Sequence, residues 1–362
     1  MKKLIYLITV VVLVFNFSCK DSGTGPEEKK SVRDYTWTAD TLAYPGSSQT
    51  LMRSIWGSST NNIYVCGHNS NNEGSLWHYN GNKWRDIKLF DFISRSPYEL
   101  YSVAGTLSND VWVVGYRLTG DNPNPPPQSF HQSLILHYNG TTWKEENVKT
   151  KSAVFSVYAN AENDVWACGE GGIVYHFDGS KWGMDTIKIS VPSNSEYNLY
   201  SITKTLNTVQ ILGALSENFG AKTTYYLFEL KSDGWSKADS FIIDSQNSQW
   251  KWGVNHLYAT SFGKLYSVGF GIFERIENDW KTILSQNFAS FRGFYELGKD
   301  NMIGVGDGGE VYNFNGNDWM LIERLKNTNI LYTGVRIFDD EAFIIGYTLT
   351  GFPQKTVVLH GK

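Results

Sequence analysis

The sequence is poor in the residues that usually announce a chemistry. It holds three cysteines in 362 residues. It has no phosphate-binding loop, no HExxH and no GxSxG, which removes the commonest signatures of nucleotide hydrolases, zinc peptidases and serine hydrolases. No basic block stands out. With a formal charge of −4 and a pI near 6.0, the chain lacks the electrostatic footprint of a nucleic-acid binder. What it has instead is aromatic rings and glycine: 15% of residues are Phe, Trp or Tyr, with 13 Trp and 34 Gly. That pairing favours many short strands and tight turns over helices.

The N-terminus reads as an export signal. Lys2 and Lys3 precede an apolar run from Leu4 to Phe15. About a dozen apolar residues are too few to span a bilayer as a stable helix but suit the core of a signal peptide. The run ends at Ser18-Cys19, a small residue followed by a thiol. Residues 1–18 therefore resemble a bacterial lipoprotein signal peptide, with Cys19 expected to carry the lipid that holds the protein to a membrane. Asn16 and Phe17 depart from the aliphatic and small residues usual there. Residues 19–34 are rich in charge, Gly and Ser, with no apolar side chain between Cys19 and Val32. They are expected to form a flexible tether. The expected location is the outer membrane, on its surface or periplasmic side.

Self-similarity organises the rest. A turn of the form Asn/Asp-Gly, followed by two residues and a Trp, closes YNGNKW at Trp84, YNGTTW at Trp143, FDGSKW at Trp182 and FNGNDW at Trp319. Looser copies end at Trp235 and Trp280. An apolar run ending in glycine recurs at Gly67, Gly115, Gly169, Gly213, Gly269, Gly306 and Gly346, at spacings of 37 to 56 residues. Each unit divides into strand A (as in LYSVAG), a short polar turn, strand B ending at the glycine, a variable loop, strand C, an Asn-Gly or Asp-Gly turn and strand D with its Trp. Asn-Gly suits a two-residue hairpin turn because both residues reach positive φ cheaply.

The pattern predicts an all-β fold, a seven-bladed β-propeller of four-stranded antiparallel blades over residues 35–362. Blades are expected at about 51–90, 100–148, 153–190, 198–243, 254–284, 290–323 and 331–361. The last unit stops after strand C, and the missing strand with its Trp lies at the other end of the chain, in YTWTADTL at 35–42. The N-terminal strand should complete the last blade and remove an open edge.

Units reading DVWxxG…HYxG..W resemble those of bacterial β-propeller lipoproteins and, more distantly, of photosystem II stability-factor and sialidase-like repeat propellers. The Asp boxes of sialidases and the Trp-Asp signature of eukaryotic scaffold propellers are missing. The resemblance therefore implies a fold and implies no activity.

Several tempting residues dissolve into the repeat. Cys66 and Cys168 align with Val114, Leu212, Val268, Val305 and Ile345, an apolar slot in which a free thiol acts as a small hydrophobe. His78, His137, His176 and His360 share one position on strand C, one per blade, and so cannot converge on a metal. They are expected to make structural hydrogen bonds. Tyr64, Trp112, Trp166, Tyr266 and Phe343 should fill the seams between blades. No cofactor and no metal is expected.

The variable loops, B to C and D to A, fall on one face. Examples are residues 116–133, 214–223 and 347–355 between strands B and C, and 87–99, 184–198 and 236–253 between blades. Long loops on a rigid scaffold are where binding concentrates. Strand A starts on that face, and its first channel positions are Arg53, Tyr101, Phe155, Tyr200, Asn255, Arg292 and Thr333, with His256 next along. Two Arg, two Tyr and an Asn around one mouth suit an anionic or sugar-like group. Arg53, Tyr101, Tyr200, Asn255, His256, Arg292, Trp250 and Trp252 are the expected ligand or partner contacts, and no catalytic residue is assigned. The function expected is a non-catalytic, envelope-anchored monomer binding a protein or glycan of the cell envelope, without a nucleic-acid partner. The alternative is a carbohydrate-active hydrolase or lyase at the channel mouth, fed by loop acids such as Asp121, Glu196 or Glu217, since sugar cleavage needs a pair of carboxylates.

Overall fold

In the computed structural model, residues 31–119, 130–148, 150–285 and 290–362 are described. The expected signal peptide at 1–18, Cys19 and the tether through residue 30 lie outside them, as does Asp121. The described chain folds into seven four-stranded antiparallel sheets. In six of them the strands run A to D in chain order from the channel outward. Blade one is Thr50–Ser59, Asn62–Asn69, Leu76–Tyr79 and Trp84–Asp86. Blade four is the longest, with strands Ser195–Lys204, Val209–Glu217, Lys222–Lys231 and Gly234–Asp244.

The seventh blade takes its outer strand from the other end of the chain. Trp37–Leu42 pairs antiparallel with Thr356–Gly361, from Trp37 opposite Gly361 to Leu42 opposite Thr356. The amide of Thr36 donates to the Lys362 carbonyl at 2.8 Å, and the amide of Lys362 donates back at 3.0 Å. A second tie lies toward the opposite end of the strand, where the Met52 amide donates to Thr356 Oγ1 at 2.9 Å and the Thr50 amide to the Gln354 carbonyl at 3.0 Å. The ordered ring begins earlier than residue 35. Val32–Asp34 form a 3-10 turn, Val32 is buried, and Arg33 hydrogen-bonds Asn313 Oδ1 at 3.1 Å on blade six.

The repeated DVW and HY segments have one physical purpose. Trp112 stacks on His137 at 3.6 Å, almost parallel, and both donate to one carboxylate: Trp112 Nε1 to Asp110 Oδ1 at 2.9 Å and His137 Nε2 to the same oxygen at 2.8 Å. Blade three repeats this with Trp166, His176 and Asp164, at 2.6 Å and 3.0 Å. Blade one substitutes Tyr64, His78 and Asn62, and blade seven Phe343, His360 and Glu341. Burial opposes the charge on Asp110, but hydrogen bonds from His137, Thr106 and Trp112 outweigh it and hold the carboxyl below its ordinary range. Each aromatic of this kind also packs on the next blade, as Trp112 does on Phe177 and Trp182. The histidines are thus structural, as expected. Cys66 and Cys168 are free and buried in their apolar slots, where burial pushes both thiols up.

All six expected loops are shorter than drawn, as three of them show. Residues 236–244 belong to strand D of blade four, and of 214–223 only Asn218–Gly220 and Ala221 lie outside the strands. In blade two, strand B runs to Thr119 and strand C starts at Phe130. Cross-strand pairing continues past the expected strand ends in all three places.

Candidate functional site

Six of the seven expected mouth positions share a backbone device. In strand A of six blades the register slips by one residue, and the skipped residue is Arg53, Tyr101, Phe155, Tyr200, Arg292 or Thr333. In blade five, Asn255 sits at the same place, just before the strand begins at His256, with its amide donating to the Val268 carbonyl at 2.9 Å. A β-bulge leaves its extra residue unpaired and re-aims its side chain. Here six are re-aimed into the channel, which Asn255 also lines.

The closing glycines are the other half of that device. A Cβ on Gly115 would lie 1.8 Å from the Glu99 carbonyl oxygen, and one on Gly67 would lie 2.1 Å from the Leu51 oxygen. Gly169 and Gly306 meet the same obstacle at 2.0 Å and 2.1 Å. Real Cβ atoms do not approach backbone so closely. The bulged strand presses against strand B at this point, and only a residue without a side chain fits. Blade four is looser: a Cβ on Gly213 first meets Leu199 Cδ2, at 2.8 Å.

The bulged residues mark a waist between two spaces. Below them, inside the ring, is a channel cavity of about 310 Å³; above them, on the loop face, is a bowl of about 640 Å³. Arg53, Tyr101, Tyr200, Asn255, Arg292 and Thr333 border both. The bowl is further walled by Ser216, Thr223 and Tyr225 of the blade-four hairpin and by Tyr347 of blade seven. The aromatic members touch around the ring: Tyr101 meets Phe155 at 5.1 Å, and Phe155 stacks on Tyr200 at 5.9 Å.

Both mouth arginines carry carboxylate partners. Arg53 Nη1 lies 2.6 Å from Glu99 Oε1, its guanidinium sits 4.9 Å over the Tyr101 ring, and His68 Nδ1 holds the other Glu99 oxygen at 2.7 Å. Arg292 forks onto Asp307 at 2.9 and 3.3 Å. The sequence reading found no acid among the mouth positions and missed these two. Glu99 lies two residues before Tyr101 on the same strand, and Asp307 directly follows the closing Gly306. The mouth is therefore a pattern of fixed ion pairs and rings rather than a bare cationic patch. Burial pushes the Tyr116 hydroxyl beside it up to about 12.

The remaining expected contacts divide. Asn255 donates to Ser290 Oγ and the Phe291 carbonyl, both at 2.7 Å, so its amide bridges blades five and six at the rim. His256 turns into the seam below, where its Nδ1 lies 3.2 Å from Ser201 Oγ, and burial pushes it down to about 4. Trp250 stays on the loop face, stacked on Phe270 at 4.6 Å and close to Tyr225 of the bowl. Trp252 does not: it is wholly buried, packed on Phe241 and Trp280, and is a core residue. The chain bends at Lys251 and Trp252, outside any strand, so the two rings do not share a side. Of the loop acids, Glu217 is paired with Lys222 at 2.7 Å, and Glu196 borders a cleft with Phe219. Among the described residues no cluster of three or more His, Cys, Asp or Glu could hold a metal ion.

Fold and mouth together define a seven-bladed propeller with a rigid, bulge-built opening on its loop-rich face. No protein-family model matches the chain, and the comparison with curated proteins gave no match. Solved structures do resemble it. YCF48 bound to D1 peptide superposes with a TM-score of 0.61 at 16% identity, covering 91% of this chain and 96% of that one. YCF48 from Cyanidioschyzon merolae gives 0.58 at 12% identity, covering 89% and 98%. The extracellular domain of a hybrid two component system from B. thetaiotaomicron gives 0.57 at 13% identity, covering 89% of this chain and 40% of that one. At such identities the likeness is one of fold.

Proposed function

We propose that the protein is a non-catalytic binding propeller that receives a segment of a partner protein in the bowl, with Arg53, Tyr101, Tyr200, Asn255 and Arg292 as its floor. The observation that carries this reading is the bowl itself. It measures about 640 Å³, within the range of sites that enclose a ligand. Its floor is held in place by bulges and ion pairs, so little ordering remains to be done on binding. The peptide in the YCF48 complex supports a protein partner. A glycan is the other class this floor suits, through stacking on Tyr101 and Tyr200 and forked hydrogen bonds.

Anchorage belongs to the same proposal: Cys19 carries a lipid, and the protein works as a monomer at the outer membrane. Trp37 pairs with Gly361, which pairs in turn with Ala342, at the end of blade seven that carries the A–B turn, whereas the bowl lies at the opposite end. A tether leaving the ring there keeps the bowl uncovered.

The test is cross-linking of the protein to envelope extract, with identification of the captured segments, for the wild type and the Arg53→Ala/Arg292→Ala variant. Capture should fall more than tenfold in the variant. Its stability should change by only about 1 kcal/mol, because both ion pairs are partly open to solvent. Identical capture by both proteins overturns the reading. Sugar release in the same mixture, lost in the variant, would make the mouth a glycan-processing site instead.

A further inference from the structure

The channel has a second ring, three residues below the first on each strand A: Trp56, Ala104, Tyr158, Thr203, Tyr258, Tyr295 and Arg336. Five of these, from Tyr158 to Arg336, line the 310 Å³ cavity. Arg336 is the one charged member. Its guanidinium lies 4.5 Å over the Tyr295 ring and 5.6 Å over Phe338, which fixes its plane. Its Nε is buried and makes no hydrogen bond. Unlike Arg53 and Arg292, it faces no carboxylate within ion-pair distance among the described residues. The hydroxyls of Tyr158 and Tyr258 are turned away to the carbonyls of Lys204 and Glu296, at 3.3 and 3.4 Å. Glu296, the buried acid that follows Tyr295 on the strand, is pushed up to about 7 by burial and makes no ion pair with Arg336.

A partly buried, stacked guanidinium without an anion leaves a donor fork unsatisfied, and a planar fork of this kind matches the oxygens of carboxylate and phosphate. We infer that the lower channel is a small-oxyanion site, with Arg336 holding one carboxylate or phosphate group against the tyrosine wall. Arg336 lies below the ring of residues shared with the bowl and borders only the channel cavity, so the inference does not depend on the partner proposed for the bowl. The cavity has room for an ion of a few heavy atoms and its water, at about 30 Å³ per water.

The experiment uses the purified full-length protein with sodium phosphate or sodium acetate alone, and sodium chloride at equal ionic strength as the blank. Calorimetric titration should show one saturable site for at least one of the two oxyanions over chloride; which one it is tells phosphate from carboxylate chemistry. Arg336→Gln should weaken it at least tenfold. Arg336→Lys keeps the charge without the fork and should fall between the two, and it carries the test if the Gln variant does not fold. Lys281→Gln, on an exposed outer strand, should bind as the wild type does. No saturable binding of either ion, or equal binding by the wild type and the Arg336 variants, overturns the inference.

Discussion

Two arcs of the inner ring solve one problem differently. In blades one to four a serine follows each bulged residue, and its oxygen accepts the backbone amide of the next strand A. Ser54 takes Val103 N at 3.1 Å, Ser102 takes Val157 N at 3.3 Å, Ser156 takes Ile202 N at 3.2 Å and Ser201 takes Leu257 N at 2.9 Å. From blade five onward there is no such serine. His256, Gly293 and Gly334 hold the position. The blades close up instead: a Cβ on Gly293 would lie 2.8 Å from Gly334 Cα, and one on Gly334 would lie 2.9 Å from Ile55 Cγ2 of blade one. Amides that could not remain unpaired in a dry seam are satisfied by serine oxygens in the first arc. In the second, close packing sets the spacing, assisted by Thr333 Oγ1, which donates to the Met52 carbonyl at 2.9 Å across the closure. Neighbouring strands at a common angle can therefore be held by polar contact or by absence of a side chain.

The feature both arcs share should matter most. Gly115→Ala puts a Cβ into the Glu99 carbonyl oxygen and must open the bulge, at an expected cost of about 4 kcal/mol, above the usual range for overpacking because the obstacle is backbone. Urea unfolding measures it. The matched Gly213→Ala meets only a leucine methyl first, and should cost less than half as much. Equal losses would show that the glycines serve something other than the bulge.

Next come exchanges between the arcs. Gly334→Ser transplants the serine solution into the packed arc, where the side chain meets Ile55 rather than a free amide, and should cost about 2 kcal/mol. If this variant is as stable as the wild type, the two arcs are interchangeable and the distinction fails. In the polar arc, Ser201→Ala leaves the Leu257 amide without its acceptor in a fully buried place, an expected loss of about 1.5 kcal/mol. Ser102→Ala, at a half-buried junction, should lose less than 1 kcal/mol.

These contrasts show what could be read without coordinates. Blade number, strand order and the borrowed outer strand were legible because each rests on local signals repeated seven times: a turn, an apolar run, a glycine, a tryptophan. The mouth residues were legible by counting from strand starts. The bulge was not, since a one-residue slip leaves no mark in composition, although it explains why glycine and mouth residue travel together. Trp250 and Trp252 read alike as loop tryptophans, and only the path of the chain sends one to the rim and the other to the core. Glu99 and Asp307 were missed as partners because Arg53 meets its acid from the next blade and Arg292 from the next strand.

The smallest effect at neutral pH, and the most specific, concerns the junction where the arcs meet. His256 sits there beside Ser201, and burial holds it down to about 4, below the ordinary histidine value. Near pH 7 it is neutral both folded and unfolded, so His256→Gln, which can still reach the serine, should change stability by less than about 1 kcal/mol. Below about pH 6.5 the unfolded chain takes up a proton that the folded ring refuses until about pH 4. The His256 share of the stability should therefore be lost as the pH drops through that window and be constant beneath it, where carboxylates held low, such as Asp110 and Asp164, continue the decline. His78 and His360, also lowered by burial, add to the same slope from other blades. The glutamine variant should lose His256's share of the slope and become, relative to the wild type, more stable at pH 5 than at pH 7. Parallel pH–stability curves would mean that His256 titrates freely, and the seam between the polar and packed arcs would then be open to water.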